Sequence, residues 1–242
     1  MVQAVAHQGS SLNDRVMRAL ERVDYRQALS REDREQVFNL RYRAYLREGA
    51  IAASEDERFT DPVDDQPNCL IFGVYADDEL AGAIRLSVTV PGLPQIPTAQ
   101  VFPDTVLPQI EAGRVLVDPT RFVADARWSR ELPELAYLTL RLPWLAMEQF
   151  EADVMLAAVR PEHYPFYRRL WGNTVVSPPR LYPGLAKPVM LSQLDFPRAV
   201  SRVETLYPFF RAREDERATI FGTNPLTWLP AAAANRAQPI RT

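Results

Sequence analysis

Two apolar runs constrain this chain more than anything else in it. Residues 69–75 read Cys-Leu-Ile-Phe-Gly-Val-Tyr and residues 80–90 read Leu-Ala-Gly-Ala-Ile-Arg-Leu-Ser-Val-Thr-Val, with Asp77 and Asp78 in the short acidic link between them. Branched and aromatic side chains at this density form strands, and so short a polar connection turns the second strand back on the first as an antiparallel hairpin.

Around the hairpin the periodicity changes. Leu12, Val16, Ala19, Leu20 and Val23 recur at helical spacing, residues 24–29 suit a first strand, and Ser30 with Asp33 resembles a capping box opening a helix that carries Val37, Leu40, Ala44 and Tyr45 on one face. Residues 51–67 are rich in Asp, Glu and Pro and read as a loop or flap. Five prolines between positions 91 and 108 exclude a central strand or a long helix there. Residues 114–123 form a strand interrupted by Pro119, which has no N–H for the ladder, so a bulge or splay is expected. Then follow a long apolar helix over 133–150 containing Pro143, a buried strand over 153–159, a short helix ending at Gly172, two strands within 174–196 and a last helix over 197–210. The order predicts an α/β fold on a mixed sheet. Residues 1–22 are expected to be an N-terminal extension with a short helix, 23–222 one domain, and 223–242 a poorly ordered tail.

Composition removes several classes of function. With 28 Lys+Arg against 31 Asp+Glu the chain lacks the basic footprint of nucleic-acid binding. A single cysteine, Cys69, excludes an internal disulfide, and its apolar neighbours read as a buried strand thiol. Two histidines, His7 and His163, argue against a multi-histidine metal centre, and no metal is expected. The absence of a signal-like leader and of any apolar run of about 20 residues leads to the expectation of a cytoplasmic protein without a transmembrane segment.

The interrupted strand, together with Phe166-Tyr-Arg-Arg-Leu-Trp-Gly172, resembles the GNAT acyltransferase superfamily, whose fold would be a mixed, mostly antiparallel sheet with splayed central strands flanked by helices. A glycine-rich diphosphate loop should follow the fourth strand in a coenzyme A-dependent member. Here the chain runs Ala-Asp-Ala-Arg-Trp-Ser-Arg after Val123, with no glycine to let the backbone close on a diphosphate. The ordered polar set Arg41, Tyr45, Asp61, Asp64, Arg85, Asp118, Arg121 and Phe122 resembles that of the acyl-homoserine-lactone synthases. The stretches Glu57-Arg-Phe-Thr-Asp-Pro62, Asp118-Pro-Thr-Arg-Phe-Val123 and Tyr182-Pro-Gly-Leu-Ala-Lys-Pro188 resemble the long-chain N-acyl amino acid synthases, N-acyltyrosine synthases among them. Asp118 where the lactone synthases carry Glu, and a flap without Trp, set the chain apart from the former.

The resemblance implies transfer of a fatty acyl group from the phosphopantetheine thioester of acyl carrier protein, with no tightly bound cofactor, to an amino acid amine. The alternatives are a lactone synthase, a coenzyme A-dependent N-acyltransferase, or a carrier-protein-binding module without turnover. Such a reaction needs a base for the amine, a seat for the oxyanion and an acid for the thiolate. Asp118 is either the base or a salt-bridge partner of Arg121 or Arg85. Arg85 and Arg121 either hold the acceptor carboxylate or neutralise Asp61 and Asp64. Arg41 and Tyr45 would line the amine side, and the backbone at Phe122 and Val123 the oxyanion site. Leu138, Leu142, Leu145 and Met147, with the strand Val154 to Val159, are either tunnel wall or core. His163 either protonates the thiol or caps its helix. Arg160, Arg168, Arg169, Arg180 and Lys187 are either a docking patch for an acidic carrier or a solvated face.

Overall fold

The computed structural model describes residues 11–90 and 92–222; the expectations for 1–10 and for the tail from 223 lie outside them. The hairpin forms as β2 (Cys69–Ala76) and β3 (Glu79–Val88), turned by Asp77 and Asp78 with positive φ at both, the backbone of a tight two-residue turn. Five further strands complete one sheet: β1 (Val23–Gln27), β4 (Leu116–Ala124), β5 (Val154–Val159), β6 (Thr174–Leu181) and β7 (Pro188–Asp195), in the order β1-β2-β3-β4-β5-β7-β6. Every neighbouring pair is antiparallel except β4 with β5. That parallel pair is the shortest ladder in the sheet, reaching only from Leu116 opposite Val154 to Val117 opposite Met155. Beyond it β4 stays on β3 and β5 stays on β7, so the two halves of the sheet part like a wedge.

The cause lies in β4 itself. Pro119 contributes no ladder donor, and Arg121 has φ +55°, so β4 sets three steps, Thr120 to Val123, against two on β3, Arg85 to Ala83. The expected bulge and splay are both present.

Helices cover both faces. On one side α2 (Arg31–Arg47) starts at the Ser30–Asp33 capping box and packs Val37, Phe38 and Leu40 with Ile71, Ala83 and Val123. Beside it sit α3 (Pro97–Val101) and α4 (Pro103–Glu111), each opening on a proline in its first turn, where a missing N–H costs nothing. The opposite face carries α6 (Leu135–Gln149), an internally proline-containing helix whose Leu138, Leu142, Leu145 and Met147 are fully buried in the main core. With it pack α1 (Leu12–Leu20), whose Val16 is fully buried, α8 (Phe196–Leu206) and α9 (Glu214–Phe221). Between β4 and α6 a short α5 (Trp128–Glu131) is capped by Asp125, and α7 (Tyr164–Trp171) ends on Gly172 at φ +84°.

The helix expected over 197–210 stops at Leu206, two residues before Pro208, and α9 follows it. Of α9 only Phe221 is buried, so its sequence shows no apolar stripe.

Candidate active site

The wedge between β4 and β5 opens into a cavity of about 460 Å³. Its floor is the bulged stretch from Pro119 to Ala124; α2 and the residue that caps its end contribute Tyr45 and Glu48, the end of β5 and the residue after it Ala158 to Arg160, and α7 Phe166 and Tyr167. Past Val117 the β4 edge has no partner strand on this side, so its backbone N–H and C=O groups are available to a bound molecule.

Beside the floor lies a buried network of five charges. Asp64, 2% exposed, takes two hydrogen bonds from Arg41 Nη1 at 2.8 and 3.0 Å and one from Arg85 Nη1 at 3.1 Å. Asp61 accepts from Arg85 Nη1 at 2.7 Å and from Arg121 Nη2 at 2.6 Å. The two aspartates also cap the single turn Pro62–Asp65, so the flap's backbone is tied to the sheet through the same carboxylates. Burial raises the Asp61 carboxyl, but the charge of Arg85 and the hydrogen bonds from Arg85 and Arg121 outweigh it and hold it at about 2. Burial likewise works against ionised Asp64, and the charges of Arg41 and Arg85 prevail and lower it. Three guanidiniums face two carboxylates, an excess of one positive charge. Of the three, Arg121 reaches the cavity, its guanidinium over Phe59 at 4.6 Å, Tyr182 at 5.7 Å and Tyr45 at 5.9 Å.

Several residues singled out from sequence therefore stand behind the site. Arg41 and Arg85 are fully buried and, like Asp61 and Asp64, do not line the cavity; Arg85 instead holds Thr120 Oγ1 from Nε at 2.9 Å and so steadies the bulge. Of the two residues expected on the amine side, Tyr45 borders the cavity and Arg41 does not, while Phe122 and Val123 both line its floor.

Asp118 needs a larger correction. It is fully buried, lies outside the cavity lining, and pairs with neither Arg121 nor Arg85. Its two oxygens accept from Thr98 N at 2.8 Å and Thr98 Oγ1 at 2.7 Å, satisfying a first-turn N–H of α3. Burial pushes its carboxyl up against those hydrogen bonds. Side-chain alternation along β4 gave no warning, because the partner is Thr98, twenty residues away in the proline-rich segment.

The basic set also divides. Arg160 and Lys187 line the cavity mouth, and Arg168 and Arg169 are exposed on α7 without an ion pair among the described residues. Arg180 makes a forked pair with Asp104 at 2.6 and 2.8 Å, and lies outside the cavity. The leucines of α6 are core and line no part of this cavity.

Glu48 and Tyr167 are lining residues that the sequence did not mark as site residues. Glu48 is the one carboxylate among the described residues that line the cavity, 3.2 Å from Arg160, and His163 accepts from Arg160 Nε at 3.1 Å. Tyr167 borders the cavity with its hydroxyl unpartnered among the described residues, and burial pushes the phenol up, so it stays protonated. The Phe166-Tyr167 pair was the available signal for the second; nothing near the end of α2 marked the first.

A parted seven-stranded mixed sheet with helices on both faces and a cleft at the parting is the fold of the GNAT-type acyltransferases. Solved structures of this shape include FeeM, an N-acyl amino acid synthase from uncultured soil microbes, at TM-score 0.64 and 20% identity over 78% of this chain and 98% of that one. TofI, solved in a ternary complex with an inhibitor and MTA, matches at TM-score 0.56 and 16% identity over 78% and 100%. The coenzyme A-dependent acyl-homoserine lactone synthase BjaI, solved with SAM and isopentyl-CoA, matches at 0.52 and 17% over 82% and 97%. The family model of the N-acyl amino acid synthase FeeM matches residues 36–195, and the chain belongs to that family. It is an N-acyltransferase. A comparison with curated proteins finds no match.

Proposed function

We propose that the protein moves a long-chain fatty acyl group from the phosphopantetheine thioester of acyl carrier protein to the α-amine of an amino acid, tyrosine among the candidates. The observation that carries this reading is the wedge itself: an apolar floor and an unpaired strand edge meet one partly accessible guanidinium in a network that carries an excess positive charge. Arg121, caged by Tyr45, Phe59 and Tyr182, suits the acceptor's carboxylate, and the free edge of β4 at Phe122 and Val123 suits the oxyanion.

The amine nitrogen attacks the thioester carbonyl carbon, the C–N bond forms, and collapse of the oxyanion breaks the C–S bond. Tyr167, protonated and unpartnered, is placed to give the thiolate its proton. The amine's proton passes to Glu48, directly or through water, since Asp118 is engaged elsewhere and Arg160 occupies Nε2 of His163. Arg85, Asp61 and Asp64 act through Arg121 and Thr120 as positioning residues.

For the donor, the turn after β4 is closed by the Asp125 side chain and offers no glycine to a diphosphate, which favours a carrier protein over coenzyme A. Arg168 and Arg169, exposed on α7 without an ion pair among the described residues, and Lys187 at the mouth suit an acidic carrier.

The test is purified protein with acyl carrier protein or coenzyme A carrying the same acyl chain, a panel of amino acids, and mass spectrometry of the products. N-acyl amino acids formed faster from the carrier are expected. No amide, or only a lactone when S-adenosylmethionine is supplied, sinks the reading, and a faster rate from coenzyme A sinks the donor half. Arg121→Ala should raise KM for the amino acid at least about tenfold with KM for the donor little changed.

A further inference from the structure

The cleft has a blind end. Pro119, Phe122, Val159 and Tyr167 border both the main cavity and a second void, so the two adjoin across these four residues. The void is walled by Ile84, Leu140, Leu156 and Ala157 and holds about 20 Å³, room for one water-sized group. It ends on Trp171, the last residue of α7, which is 1% exposed.

Trp171 stands there by packing alone. Its ring stacks on Trp144 at 6.1 Å and meets Tyr167 at 5.8 Å and Phe210 at 5.9 Å, while its indole N–H is buried and has no acceptor among the described residues. No hydrogen bond among the described residues sets the position of the ring, so packing alone holds its bulk against the void. The same void is lined by Ala157, one of the smallest side chains available to a buried strand, so its room is bounded by one large residue and one small one among others.

We propose that Trp171 and Ala157 set the acyl-chain length: the chain's methyl end lies in this void, Trp171 is its end wall, and Ala157 leaves the space the end occupies. The proposal rests on the reading of the wedge as the acyl-transfer cleft. An apolar pocket discriminates by about tenfold or more for each methylene it cannot seat, so a change of wall is read directly in the preference between two chain lengths.

The experiment uses the full chain and acyl carrier protein loaded with saturated acyl groups of increasing length. Trp171→Leu should move the optimum to longer chains, raising the long-to-short ratio of kcat/KM by about tenfold or more, and Ala157→Leu should move it the other way by a similar factor. Because the tryptophan variant loses core packing and risks misfolding, Ala157→Leu by itself decides the matter: wild type that makes amide, with an unchanged length profile in a folded Ala157→Leu, overturns the proposal. The same proteins titrated with free fatty acids of the same lengths report the wall without turnover. If wild type forms no amide from any donor, the function is wrong, and the length dependence of fatty-acid binding in the Ala157 and Trp171 variants still upholds or overturns the wall.

Discussion

Asp61 brings a negative charge to the point where Arg85 and Arg121 converge. Removing its charge leaves three guanidiniums facing one carboxylate, so Asp61→Asn should cost about 3–5 kcal/mol at pH 7, measured by urea denaturation. The pH dependence has a definite sign. The folded-state carboxyl lies at about 2 against an ordinary 3.8, so its contribution is complete above 3.8 and disappears as pH falls through 2. The gap between wild type and variant should therefore narrow on acidification; a gap constant down to pH 2 contradicts the assignment. Glu48→Gln should lower kcat about 10²-fold and leave the unfolding midpoint within about 0.5 kcal/mol of wild type, as expected for a half-exposed side chain that acts in chemistry. A variant as fast as wild type would remove Glu48 from the mechanism. The arginines and aspartates of the network could be picked out in sequence because their types and order are distinctive. Glu48 could not, since an acid at the end of an amphipathic helix looks like any solvated residue.

At the scale of elements, β4 shows how much one residue type can decide. Pro119 makes a break in the ladder obligatory, and the sequence alone foretells it; the side of the strand on which Asp118 lands does not follow from the proline. That depends on α3, which comes back across the sheet and presents Thr98 to both oxygens of Asp118. Thr98→Val removes the hydroxyl donor at a fully buried carboxyl and should cost about 1–3 kcal/mol, with a fall in activity from the loosened bulge, read by thermal unfolding and turnover on the same preparation. Unchanged stability would mean that the carboxyl finds another donor. The helix ends follow local rules throughout: Ser30 caps α2 with Asp33, and Gly172 ends α7 in the left-handed region. The short helices over 97–111 follow them too, with prolines in their first turns, in a segment whose prolines exclude a central strand or a long helix.

Across the whole molecule, α6, α8 and α9 meet at Glu148, which receives Arg217 Nη1 at 2.9 Å and stands beside Glu204. Burial, then the hydrogen bond with Glu204, pushes the Glu148 carboxyl up to about 7 from an ordinary 4.5, against the pull of Arg217. A raised carboxyl stabilises the fold fully below 4.5 and ceases to as pH rises through 7, so stability should decline by on the order of 2 kcal/mol across that interval, and Glu148→Gln should flatten the decline. Denaturation midpoints at pH 5 and pH 8 that differ equally in wild type and variant would refute this. Among the described residues no helix is long and apolar enough to cross a membrane. The hairpin, the capped α2, the proline-broken β4 and the aromatic α7 were determined by the sequence itself, because each follows from side-chain periodicity or from a backbone that one residue type permits or forbids. Only the tertiary structure decided that Asp118 turns to Thr98, that Arg180 pairs with Asp104, that Glu48 reaches the cleft and that Trp171 lines the void beside it. Each of those contacts joins segments brought together by packing of the sheet, and no local pattern encodes which side chains will meet across it.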